Sequence, residues 1–149
     1  MVKVYTVGMM EHNAKNDPTV VAAVEMKNGS LFTIGEDHKA VAPVAGETKD
    51  LYVALNEFAG DDYGTEAKIA AGAYLNAYQL KAWDGMYLEI SEENITGKIS
   101  EIAEGDTLVA GTDYLFAKGE AGESALYFKV AEKIALGMVP GVRVQVIVA

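Results

Sequence analysis

Two short segments of one pattern, Lys27-Asn28-Gly29 and Trp83-Asp84-Gly85, each separate two apolar runs. The alternation on either side stays in phase only if the loop between has three residues, because a slip of one residue moves every side chain to the other face. Ala22, Val24 and Met26 precede the first copy, and Phe32 and Ile34 follow it. Tyr78, Leu80 and Ala82 precede the second, and Met86, Leu88 and Ile90 follow it. With glycine last, where a left-handed backbone is wanted, the pattern predicts two hairpins closed by a type I turn plus bulge, with Val24 facing Phe32 and Leu80 facing Leu88. On this reading Trp83, the single tryptophan, sits at a hairpin tip and becomes a candidate contact residue.

The rest of the chain reads as short strands between polar or glycine-rich breaks. Val2 to Met10 leans to β structure, Glu11 to Pro18 is a polar interruption, and Leu51 to Leu55 is a compact buried strand. Pro43 places Val41 to Gly46 at a sheet edge or outside the sheet. Glu66 to Trp83 admits two readings: a helix capped by Thr65, or strand from about Tyr74 onward, which the period of two through Tyr78, Leu80 and Ala82 favours. Thr107 to Ala110, Tyr114 to Ala117, Leu126 to Val130 and the alternating Val142, Val144, Val146 and Val148 complete the pattern. The expected fold is all-β: a compact antiparallel barrel or sandwich with at most short helical turns. Residues 1–18 are expected to form an N-terminal extended arm and linker, and residues 19–149 one β-rich domain.

Half of the 149 residues are hydrophobic, enough for a core built without cross-links, and cysteine is absent. No thiolate metal site or cysteine nucleophile is therefore possible. The formal net charge is −10 with one arginine, Arg143, and no basic cluster, which argues against nucleic acid as a partner. No stretch has the ~18 apolar residues of a membrane span, and the N-terminus lacks the pattern of a secretion signal. Synthesis in the cytoplasm is the expectation.

Chemistry finds little support. His12 and His38 lie apart in polar stretches, and Glu36-Asp37-His38 and Asp61-Asp62 do not have the spacing of a calcium loop. Gly119 to Gly122 lacks the Lys-Ser/Thr of a phosphate loop. No catalytic, cofactor or metal residue is assigned, and no enzymatic activity is expected. The eight tyrosines fit packing better than a carbohydrate platform. Interaction remains. Val4 to Met10 is an apolar strand cut off by the polar break; it either adds to a neighbour's sheet edge or pairs within its own sheet. In the first case Val4, Tyr5, Val7, Met9 and Met10 would be the gripping residues, methionine suiting an adaptable contact.

From about Leu51 to Val148 the chain resembles small virion proteins of tailed bacteriophages, in particular head decoration (capsid cement) proteins. The stretches that carry the resemblance are Ile69-Ala70-Ala71-Gly72-Ala73-Tyr74-Leu75, Glu104-Gly105-Asp106-Thr107-Leu108-Val109-Ala110-Gly111 and Val139-Pro140-Gly141-Val142-Arg143-Val144-Gln145-Val146. The resemblance implies a virion structural protein on the capsid surface, a major capsid protein as partner and a homo-oligomer, with a trimer favoured. A tail tube, head completion or baseplate component is the alternative within the virion. A β-barrel ligand-binding module or enzyme is the alternative outside it.

Overall fold

The structure, a computed structural model, describes residues 2–5, 16–44, 50–56, 68–122 and 125–149. Among the described residues two six-stranded sheets dominate, and no helix reaches seven residues. The first sheet is antiparallel throughout: β1 (Val2–Tyr5), β10 (Tyr87–Ser91), β14 (Val139–Val148), β13 (Leu126–Leu136), β11 (Thr107–Ala110) and β12 (Phe116–Lys118), in that spatial order. The second runs β2 (Asn16–Asp17), β9 (Ala77–Gln79), β7 (Tyr52–Ala54), β5 (Leu31–Ile34), β6 (Lys39–Val41) and β3 (Val21–Ala22), with β3 and β6 parallel. A two-stranded pair joins β4 (Met26–Lys27) to β8 (Lys68–Ile69).

That small pair extends the second sheet. Met26 faces Ile69, and five residues away along each strand Val21 bridges Tyr74, so one antiparallel register runs through both contacts. Because β3 also pairs with β6, the Val21–Tyr74 bridge curls the second sheet back on itself. Its interior is narrow and is filled by Val20, Ala22, Met26, Phe32, Ala40, Ala54, Ile69, Leu75 and Ala77. Of the alanines that make residues 66–83 readable as helix, Ala77 lies in this interior and Ala73 packs against it, as fits a place where opposing walls approach closely, while Ala70, Ala71 and Ala82 are exposed. The strand reading from Tyr74 onward holds for β9, and Leu80–Trp83 then forms a single 3-10 turn.

The wall between the two halves is buried on both faces. Along β5, Leu31 enters the large core and Phe32 the small one; along β7, Val53 enters the large core and Ala54 the small one; along β9, Tyr78 packs on the large core and Ala77 lies in the small one. Strict alternation over three strands lets one layer serve two cores, as the pleat requires. The opposite side of the large core comes from Leu88, Ile90, Phe128, Val130, Val142, Val144 and Val146 of the first sheet. Tyr114 (φ +66°) adopts a left-handed conformation rare for such a residue, and its carbonyl accepts the Leu31 N–H at 2.8 Å, tying the loop after β11 to the wall.

Neither three-residue loop closes a hairpin, so the predicted facing pairs are corrected. β4 pairs with β8 and β5 with β6 and β7; Val24 is exposed while Phe32 is buried. Likewise β9 pairs with β2 and β7, and β10 with β1 and β14, so Leu80 and Leu88 share the large core without facing each other across a ladder. The turns themselves do form. Ser30 N–H donates to the Lys27 carbonyl at 3.1 Å and Met86 N–H to the Trp83 carbonyl at 2.9 Å, with Gly29 (φ +87°) and Gly85 (φ +83°) in the left-handed region. At the second copy Asp84 (φ −51°, ψ 126°) before Gly85 makes a type II turn in place of the expected type I.

What the two copies share is how they dock. Gly29 N–H donates to the Ala54 carbonyl (2.7 Å), the Ser30 carbonyl accepts Ala54 N–H (3.0 Å), and Asn28 Oδ1 accepts Asn56 N–H (2.8 Å). Gly85 N–H donates to the Val146 carbonyl (2.7 Å), the Met86 carbonyl accepts Val146 N–H (2.8 Å), and Asp84 Oδ1 accepts Val148 N–H (2.9 Å). In both, the turn presents two backbone groups and one side-chain oxygen to every second residue of a strand end, the side chain standing in for a carbonyl. The repeated motif is thus a repeated clasp: the first fastens β5 to the end of β7, the second fastens β10 to the end of β14.

Candidate interaction surface

One described cluster has the residue types of acyl-transfer chemistry. Thr19 Oγ1 lies 2.7 Å from His38 Nε2, and Asp17 Oδ2 lies 3.2 Å from the same nitrogen. The geometry does not make a nucleophile. The Thr19 hydroxyl donates to Asp17 Oδ1 at 2.6 Å and Thr19 N–H donates to it at 3.0 Å, so this is a local Asx-type turn with both partners on one ring nitrogen. A base activating a hydroxyl needs its second nitrogen oriented by the acid, not its first nitrogen shared with it. The Thr19 bonds, with help from His38, hold the Asp17 carboxyl below its ordinary range. The cluster staples the bend between β2 and β3 to the turn between β5 and β6. Among the described residues, no three His, Asp or Glu side chains are placed to hold a metal ion; His12, Asp61 and Asp62 lie outside them.

The residues singled out as contacts are placed differently from expectation. Val4 and Tyr5 belong to β1, whose backbone pairs with Leu88 and Tyr87, so at residues 2–5 the chain takes the alternative of pairing within its own sheet. Val2 is buried in the large core, which corrects the idea of an arm detached from the body from its first residues. Val7, Met9 and Met10 lie outside the described residues. Trp83 is corrected outright: it is fully buried in the large core, 5.6 Å from the ring of Tyr78, because the 3-10 turn rotates it inward before the clasp begins. Its Nε1 has no hydrogen-bond partner there.

Besides Val24 and Val44, the exposed large apolar side chains of the described residues fall in two places. The first is the distal half of the β13–β14 hairpin. Pairing of β14 with β10 ends at Gly141, and pairing of β13 with β11 ends at Lys129, whereas β13 and β14 stay paired to Leu136 and Val139. The six residues 135–140 therefore extend past both neighbours as a two-stranded finger, while residues 132–134, which follow a bulge between Val130 and Glu132, lie opposite residues of β14 that β10 still holds. Gly137 (φ +67°) and Met138 make its tip, the two-residue loop with glycine first that suits strand twist. Met138 is fully exposed, and Ala135 and Pro140 beside it are exposed. The finger was legible in Leu-Gly-Met-Val, a glycine-led pair between apolar residues, but the sequence reading stopped the strand at Val130.

At the root of the finger, Arg143 anchors three strands. Its guanidinium donates to Glu132 Oε2 at 2.5 Å and to Glu89 Oε1 at 3.0 Å, each directly across the ladder. Lys3 stands opposite Glu89, so the outer face carries a row of alternating charge over β1, β10, β14 and β13. From residue 125 onward the chain has three basic residues, Lys129, Lys133 and Arg143, against the single acid Glu132, in a molecule of net charge −10.

The second exposed site is the outer face of the curled sheet. Tyr74 is about two-thirds exposed beside Val21, and Ala23 and Val41 continue the face one row along, with Lys39 among them. No protein-family model, no curated protein and no solved structure matches this chain.

Proposed function

We propose that this chain is a virion structural protein, a decoration protein that binds the outside of a tailed-phage head and stabilises the shell by protein–protein contact. The observation that carries the reading is the β13–β14 finger: an apolar tip, ending in a fully exposed methionine, on an otherwise acidic body. A polarizable, unbranched thioether adapts to irregular apolar surfaces, and a rigid two-residue turn presents it at little entropic cost. The mechanism is physical. Each copy seated where capsid subunits meet buries an interface of the standard size, ~1,600 Å², that must be broken before the shell can open. The major capsid protein is the partner, several copies act together, and the capsid surface is the site of action after assembly in the host cytoplasm. No chemical step is assigned.

Co-sedimentation with emptied, expanded heads of the phage that carries the gene tests this. Saturable binding is expected, and Met138→Glu, which touches no core residue, is expected to weaken it at least about tenfold, the loss of ~1.4 kcal/mol or more at an apolar contact. Absence of binding by the wild-type chain overturns the proposal. Self-assembly into rings without heads would move the protein to the tail tube or baseplate.

A further inference from the structure

We infer that Asn28 is a modification site gated by the fold: it loses its side-chain amide only when the first clasp opens, and the product closes the clasp more weakly. The chemistry needs no enzyme. The backbone nitrogen of the residue after an asparagine attacks the side-chain Cγ, the N–Cγ bond forms, the proton of that nitrogen is lost and ammonia leaves, giving a five-membered succinimide. Water then opens the ring at one of its two carbonyls, yielding aspartate or the isoaspartyl isomer, whose main chain is one methylene longer. Glycine in the second position removes the side chain that would hinder attack. Asn28-Gly29 is the single Asn-Gly in the chain.

The folded clasp blocks every element of that step. The attacking nitrogen is committed, since Gly29 N–H donates to the Ala54 carbonyl at 2.7 Å. The electrophile is held away from it: Asn28 Oδ1 accepts Asn56 N–H at 2.8 Å, and Asn28 Nδ2 donates to the Asn56 carbonyl at 3.2 Å. The Asn28 carbonyl, which would have to turn as the ring forms, accepts from Asn94 Nδ2 at 3.1 Å, and Asn94 is itself fully buried. Gly29 and Ser30 are buried, with Val2 packed over the glycine, so water and base are kept out.

Conversion weakens the clasp. An aspartate at 28 keeps the oxygen that accepts Asn56 N–H but replaces the Nδ2 donor by a carboxylate oxygen facing the Asn56 carbonyl, a repulsive contact in a part-buried place. The isoaspartyl product lengthens the turn and breaks its match to β7. The second clasp supplies the control within the same molecule: Asp84 already carries a carboxylate there, and no side-chain amide donor is used.

The test is peptide mass spectrometry of residue 28 over time at mildly alkaline pH, for the folded full-length chain and for the same chain unfolded in urea. Deamidation of the folded chain is expected to be at least about a hundredfold slower, since it must wait for a local opening. Equal rates in the two states overturn the inference. In parallel, Asn28→Asp is expected to lower the thermal midpoint while Asp84→Asn leaves it near that of the wild type, because only the first clasp uses an amide donor. An Asn28→Asp chain as stable as the wild type overturns the claim that the product weakens the clasp.

Discussion

Two glycines with nearly the same dihedral angles separate backbone strain from packing. Gly29 and Gly85 both sit at φ above +80°, so a β-carbon costs each about 1 kcal/mol of backbone strain. Around Gly85 a new Cβ meets nothing within 4 Å; at Gly29 it would lie 2.6 Å from Val2 Cγ2 and 3.1 Å from Asn94 Nδ2. Gly85→Ala is therefore expected to cost about 1 kcal/mol and Gly29→Ala about 2 to 4 kcal/mol, overpacking adding to strain. Urea unfolding followed by the emission of Trp83, the single tryptophan and a buried one, measures both. Equal costs would contradict the packing of the N-terminal strand over the first clasp. Val2 thus has a structural role in the core that a β-leaning N-terminal segment alone does not reveal.

Among the elements, several strands were legible by a period of two or by length and composition, whereas the same period through Ala22, Val24 and Met26 and through Tyr78, Leu80 and Ala82 did not give one continuous strand. The alternating valines of β14, the Leu51–Leu55 segment and the Thr107–Ala110 strand stand where the pattern put them. Pairing was not legible. The X-Asx-Gly motif carries the signature of a tight turn, and in a hairpin that turn would join adjacent strands; here the turn's own hydrogen-bonding groups are spent on a remote strand end, a choice set by tertiary contacts that the local pattern does not contain. For the same reason Trp83 reads as a loop tip in the sequence: the four residues of the 3-10 turn Leu80–Trp83 bury their first and last side chains, which replaces the alternation of the strand that precedes them.

The edge of the first sheet adds a prediction on pH. Lys118 Nζ meets Asp106 Oδ2 at 2.7 Å and Ala103 N–H donates to the same oxygen at 2.8 Å; the Lys118 hydrogen bond first, then the Ala103 one, hold the Asp106 carboxyl below its usual range. A carboxylate depressed on folding contributes stability that is full above its unfolded value and is lost as pH falls through the lowered one. Asp17 acts with the same sign. Thermal midpoints are thus expected to fall on acidification below the ordinary carboxylate range, about pH 4. Asp106→Asn is expected to lower the midpoint slightly at neutral pH and make the acid fall shallower. An unchanged acid slope in Asp106→Asn would count against the linkage.

At the scale of the whole molecule, the wall of β5, β7 and β9 makes the two cores one body: each strand gives alternate side chains to either side, so neither core can open without stripping a face from the other. A finger making the proposed contact is effective only on a body that does not yield behind it, and the shared wall is expected to supply that rigidity. Native-state amide exchange tests this most directly. Leu75 N–H, bonded to the Val20 carbonyl in the small core, and Val146 N–H, bonded to the Met86 carbonyl at the large one, are expected to report the same opening free energy, that of global unfolding. A small core that exchanges through its own opening, lower by about 2 kcal/mol or more, would contradict the account.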